Sequence, residues 1–210
     1  MLYIIGLGLN VNGISKQGIE KLSKCKKVYL ENYTVEFPYS LGELKQAIDK
    51  KIIPLGREDV ESFKIIDEAK KCDVALLVYG SPLSATTHIS LVNEAKASEV
   101  KCKIIYSASI FDAVAETGLQ LYKFGKTASM PKWDLKKNFI PDSFVEIIKD
   151  NQKINAHTLL LIDIGLKFED AIKQLKDSLE KHKTKIDKIV VCERLGAKGK
   201  KIAYGKLQDF

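Results

Sequence analysis

Apolar and polar positions alternate along this chain in two periods. Residues 2–5, 28–30, 74–79 and 104–106 are short apolar, β-branched runs, the pattern of strands. Residues 74–78 are apolar at every position, which predicts a strand covered by helices on both faces. Between these runs, Ile14, Gly18, Ile19, Leu22 and Cys25 recur at helical spacing, as do Phe63, Ile66 and Ala69, and Ile89, Val92 and Ala95. Ser109 stands three residues before Asp112 and reads as an N-cap, with Gly118 as the stop of the helix it opens. The first half thus reads β-α-β-α and predicts a mostly parallel sheet.

The second half repeats the alternation. Ser143 followed by Glu146, just after Pro141, predicts a capping box. Residues 158–163 read as a buried strand ending in Asp163. Phe168, Ala171, Ile172, Leu175 and Leu179 predict an amphipathic helix. Residues 186–192 read as another strand, and 201–204 as a last short one. Residues 122–138 lack helical period and hold Gly125, Pro131 and the single tryptophan, Trp133. The expected junction lies at 119–125, dividing the chain into domains at 1–120 and 121–210.

Composition narrows the class. Apolar residues make up 45% and charged residues 29%, as in ordinary globular domains. No apolar run is long enough to cross a bilayer. The N-terminus reads as a first strand rather than a signal peptide, so a cytoplasmic protein without a membrane role is expected. The formal charge is +7, but the lysines are spread along the chain and are not interleaved with aromatics. That predicts a solvated surface rather than a nucleic-acid face. Cys25, Cys72, Cys102 and Cys192 form no C-x-x-C pair and have no ligand at metal spacing. They read as small buried hydrophobes in a reducing compartment, with no metal.

Candidate chemistry gathers where strands end. Gly6-Leu7-Gly8-Leu9-Asn10 follows the first strand, and Glu31 closes the second. A dinucleotide fingerprint would need a third glycine where Val11 stands, so a tight turn and a ligand contact are equally good readings there. The run 80–88, Gly-Ser-Pro-Leu-Ser-Ala-Thr-Thr-His, follows the most apolar strand. It is either a ligand loop or a helix start rich in capping residues. His88 reads more readily as a packed helix residue than as an acid–base catalyst. Ser107–Asp112, Asp163 and Glu193-Arg194-Leu195-Gly196 also follow strands. Loops at strand ends from both halves predict a cofactor cleft between two domains. No P-loop, G-x-S-x-G elbow, H-E-x-x-H or kinase motif is present, which favours a chemistry of positioning over one with a protein nucleophile.

The segments LYIIGLGL at 2–9, GREDVE at 56–61, GSPLSATTH at 80–88, SIFDAVAETGLQLYKFGK at 109–126 and HTLLLIDI at 157–164 resemble the diphthine synthase family. That family lies within the tetrapyrrole-methylase-like class of methyltransferases, and the resemblance runs in order over nearly the whole chain. It implies two α/β domains, with mostly parallel strands in the first and mixed strands in the second. It also implies a homodimer and S-adenosylmethionine as cofactor, with S-adenosylhomocysteine as product. The implied reaction is methylation of the modified histidine of translation elongation factor 2, the diphthamide precursor, on the amine of its 3-amino-3-carboxypropyl group. The implied cofactor contacts fall on Leu9, Ser81, Ser84, Ser109, Ile110, Ile162 and Leu195, and the resemblance assigns no catalytic residue. Two departures from the family pattern stand out. Ser81 replaces a typical aspartate, and the second domain is shortened, ending at Phe210. They keep open a non-catalytic homologue that still binds the cofactor. A nicotinamide-dinucleotide protein is the third reading, opposed by Val11.

Overall fold

A computed structural model describes residues 1–210 as two compact units. The first comprises residues 1–113 with 194–200, and the second 114–193 with 201–210.

The first unit runs β1 (Leu2–Gly6), α1 (Lys16–Leu22), β2 (Lys27–Glu31), α2 (Leu41–Ile48), β3 (Ile53–Leu55), α3 (Arg57–Glu61), α4 (Lys64–Lys71), β4 (Val74–Val78), α5 (Ile89–Ala97), β5 (Cys102–Ile105) and α6 (Ile110–Ala113). The strands form one sheet in the order β3-β2-β4-β1-β5, parallel throughout. The uninterrupted apolar run is its centre: Val74 to Val78 are fully buried. Alternate side chains feed two cores. Leu2, Ile4, Val74, Leu76 and Val78 pack with Ile65, Ile66, Ala69, Leu91 and Ala95 of α4 and α5 on one face. Tyr3, Ile5, Ala75 and Leu77 pack with Leu22, Leu44 and Ile48 of α1 and α2 on the other. A parallel sheet needs this double cover, because its crossover helices lie on its faces. The helix expected from Phe63 starts one residue later, since Phe63 takes a left-handed conformation (φ 58°) as the N-cap of α4.

The second unit contains β6 (Ala128–Met130), α7 (Phe144–Lys153), β7 (Leu160–Ile162), α8 (Phe168–Lys181), β8 (Lys188–Glu193) and β9 (Lys201–Lys206). β6 and β7 are parallel, and β8 and β9 antiparallel, so its strand pairing is mixed. Phe144, Val145, Ile148, Ala171, Leu175 and Leu179 build its core against Ala128 and Met130. Buried Asn151 replaces backbone pairing at its edge: it accepts from Lys126 N (2.9 Å) and donates to Lys126 O and Thr158 Oγ1 (2.8 Å each).

Two local expectations are corrected here. Ser143 makes no side-chain cap, its backbone being helical (φ −59°, ψ −19°) rather than extended as a cap requires, and the Glu146 carboxylate meets Lys149 (2.9 Å) and His182 (3.0 Å) instead. The strand read at 158–163 is ordered only over Leu160–Ile162 and is half-buried to exposed. An apolar run reports a preference for burial, while the number of covering elements is a tertiary matter.

Candidate functional site

The carboxyl edge of the first unit's sheet is built from turns that need glycine. Gly8 and Gly80 both have left-handed φ (69° and 72°), a conformation that costs other residues about 1–2 kcal/mol. They exchange two hydrogen bonds: Gly8 N donates to Gly80 O (3.1 Å) and Gly80 N to Gly8 O (3.0 Å). This stitches the exit of β1 to the exit of β4. A Cβ on Gly6 would lie 2.6 Å from Gly80 O and 2.8 Å from Pro82 Cδ, so the two chains touch backbone to backbone. The exit of β5 joins through Ser107, whose hydroxyl donates to Gly13 O at 2.8 Å. Gly13, too late in the chain for a dinucleotide fingerprint, closes the turn by donating from its N–H to Asn10 O (2.9 Å).

These contacts place the candidate residues. Leu9 is buried one residue past the Gly8–Gly80 bridge, and Ser81 is buried one residue past it on the other strand. Ser84 follows in the same loop, half-buried, its N–H donating to Ser81 O (3.2 Å). Leu83 and Ala85 beside it are left-handed as well (φ 68° and 55°). Strain in non-glycine residues clusters where structure serves a ligand. Ser109 is buried at the exit of β5. Its hydroxyl accepts from Phe111 N (3.1 Å), while Asp112 Oδ2 accepts from Ser109 N (2.9 Å). That is the cap expected from the sequence, and it sets Ile110 at the start of α6. Leu195 is buried in the 194–200 segment of this unit. Its neighbour Gly196 packs so closely on Leu9 that a Cβ would come within 2.8 Å of the leucine side chain. The structure thus brings Leu9, Ser81, Ser84, Ser109, Ile110 and Leu195 onto one unit. Ile162 ends β7 in the other unit, 46% exposed.

Gly80 is buried, and a Cβ there would stand in ordinary contact with Ala108 O at 3.8 Å and Ser109 Cα at 4.0 Å, so the exits of β4 and β5 lie side by side. No group of three or more His, Cys, Asp or Glu side chains is placed to hold a metal ion. The cysteines are free, and burial pushes the Cys25 thiol up to about 11.

Three further groups stand at or near this edge. Glu31 is fully buried. Its carboxylate accepts from Tyr33 N (3.0 Å), Thr34 N (2.7 Å) and Thr34 Oγ1 (2.7 Å). It anchors its own loop. His88 is buried, and neither ring nitrogen has a partner. Burial pushes its imidazole below the ordinary value, opposed by the Glu31 charge. Tyr79, just after β4, donates its hydroxyl to Leu9 O at 2.9 Å.

The sequence model of the Tetrapyrrole (Corrin/Porphyrin) Methylases matches residues 1–210. The chain belongs to that family. Among its tetrapyrrole-methylase relatives, it is 38% identical to the diphthine synthase of Methanocaldococcus jannaschii, an alignment covering 100% of this chain and 87% of the relative. It is 45% identical to the diphthine methyl ester synthase of Saccharomyces cerevisiae over 83% of this chain, and spans 59% of that protein's length. A solved diphthine synthase superposes with a TM-score of 0.89 at 34% identity, covering 99% of this chain and 82% of that one. Within the tetrapyrrole methylases, then, its similarity runs to the diphthine branch.

Proposed function

We propose that this chain is an S-adenosylmethionine-dependent methyltransferase that methylates the diphthamide precursor on the modified histidine of translation elongation factor 2. The carrying observation is the stitched carboxyl edge of the first sheet, where Gly8 and Gly80 pair and buried Ser81 and Ser109 lie beside Gly80. Ligands of open α/β sheets bind at such edges. Membership of the tetrapyrrole methylases and similarity to diphthine synthases point to the same reaction.

In this reading Leu9, Ser81, Ser84, Ser109, Ile110 and Leu195 hold the cofactor, with Ile162 contributed by the second unit. When bound, S-adenosylmethionine supplies a methyl group made electrophilic by its sulfonium. The chain's residues bind, orient and exclude water. Buried Leu9 and Leu195 provide the dry wall, and the backbone of the glycine turns provides close approach. The reading assigns no nucleophile to the chain: as the resemblance implies, the attacking group is the substrate's own neutral amine. His88 is not assigned its proton: the ring lies within the fold, 1% exposed. Ser81 offers a hydroxyl and no compensating charge, which leaves charge selectivity to the rest of the site. The same reading includes a homodimer, as the resemblance implies.

The test is transfer of a radiolabelled methyl group from S-adenosylmethionine to elongation factor 2 carrying the 3-amino-3-carboxypropyl histidine. Label on the factor is the expected result. Cofactor binding without transfer would identify a non-catalytic homologue instead, and neither binding nor transfer would refute the assignment.

A further inference from the structure

The turn carrying Leu9 is held by side chains that the cofactor contacts do not include. Tyr79 donates its hydroxyl to Leu9 O at 2.9 Å, fixing the orientation of the Leu9–Asn10 peptide. Its ring is itself fixed. It meets Phe37 edge-on at 5.4 Å between centroids, and Tyr39 at 6.3 Å, while Phe37 meets Tyr39 edge-on at 5.5 Å. Phe37 and Tyr39 in turn pack against the core under β1 and β2. Paired aromatics of this geometry hold each other's orientation. On the other side, Asn10 Nδ2 donates to Gly196 O at 3.0 Å, while its Oδ1 accepts from Asn12 N at 3.0 Å. The Asn10 contact seats the Gly196–Ala197 peptide, directly after Leu195, against the same turn, and Gly196 lacks the Cβ that would strike Leu9.

We infer that Tyr79 and Asn10 are positioning residues of the cofactor site. Tyr79 sets the Leu9 carbonyl and Asn10 ties the Leu195 segment to the Leu9 turn, so that Leu9 and Leu195 meet the ligand as one preformed wall. The inference rests on the reading that Leu9 and Leu195 contact the cofactor. A preformed wall spares the ligand the ordering of two loops, and its loss appears as weaker binding at unchanged chemistry. Burial raises the Tyr79 phenol above its ordinary value, so it remains a donor at neutral pH.

Two near-isosteric variants separate this role from simple packing. Tyr79→Phe keeps the ring contacts and removes only the hydroxyl. Asn10→Asp keeps the acceptor for Asn12 and removes the donor to Gly196. The measurements are calorimetric titration with S-adenosylhomocysteine, KM and kcat for S-adenosylmethionine, and thermal unfolding without ligand. Each variant is expected to raise Kd and KM by about 3- to 10-fold, with kcat within about twofold and an unchanged melting temperature. Wild-type binding with both variants within twofold of it overturns the positioning role alone. A fall in kcat at unchanged KM overturns it too. Wild-type protein that does not bind the probe overturns the functional reading and this inference together.

Discussion

At the residue scale the buried pair Glu31 and His88 is the least expected feature of the first unit. Glu31 spends both oxygens on its own loop: Oε1 accepts from the backbone N–H groups of Tyr33 and Thr34, and Oε2 from the Thr34 hydroxyl. His88 has no such compensation. A buried imidazole without partners is cheaper neutral than charged. Its ordinary value is 6.5, and burial lowers it in the folded chain. Below pH 6.5 the unfolded chain therefore binds a proton that the folded chain refuses, and stability falls as pH falls. Above that pH the contribution is flat. We expect His88→Leu to flatten this part of the slope, read as urea midpoints from about pH 8 to about pH 5. At the upper end it should cost little, since an apolar side chain of similar size replaces an unsatisfied polar one. An unchanged slope would show that the ring finds a proton-accepting partner. The sequence marked His88 as a residue packed on a helix, and so it is. That it faces Glu31's field could not be read, because the two are brought together by strand order and not by spacing.

At the element scale the second unit shows how a helix end is tied when its predicted cap does not form. Asp142, just before α7, pairs with Lys181 at 2.6 Å and with His182 at 3.1 Å, both at the end of α8. Glu146 in the first turn of α7 meets His182 Nδ1 at 3.0 Å. The contact with Lys181, then that with His182, holds the Asp142 carboxyl below its ordinary 3.8. A depressed carboxyl contributes stability above that value and loses it as pH falls through the folded value. Asp142→Asn should therefore destabilise the protein by about 0.5–1 kcal/mol at neutral pH, the range of ion pairs near a surface. The difference should shrink once the medium is more acidic than pH 3.8. Denaturant unfolding of both proteins at the two pH values checks it. The sequence pattern of Ser143 and Glu146 was a sound signal for a capping box, yet it was local. Of the two groups that hold Glu146, Lys149 lies one turn on in the same helix, while His182 comes from thirty-six residues away and could not be read locally.

At the scale of the whole molecule, ligand binding and folding share one free energy. A ligand that binds only the native chain at a hundredfold excess over its Kd adds about 2.7 kcal/mol to stability. S-adenosylhomocysteine at that excess is therefore expected to raise the melting temperature by several degrees. No shift at any attainable concentration would count against the glycine turns as a binding edge. The carboxyl edge itself was largely legible. The turns after β1, β4 and β5 were marked by Gly6, Gly8, Gly80 and Ser109 before any coordinates, and most of the candidate residues lie on those turns. The contacts of Tyr79 with Leu9 O and of Asn10 with Gly196 O were not legible. A tyrosine ending an apolar strand looks like one more core residue until the carbonyl it meets is known.

The period of the apolar positions was enough to set out alternating strands and helices and the doubly covered central strand. Those properties are local: a side chain's face follows from its place in a repeat of two or 3.6 residues. Partnership is not local. The order β3-β2-β4-β1-β5, the reciprocal bonds of Gly8 and Gly80, the Tyr79 hydroxyl on Leu9 and the contact of Glu146 with His182 all join positions far apart in the chain. Only the closed structure decides them, because a hydrogen bond or ion pair is settled by which groups compete for the same few ångströms.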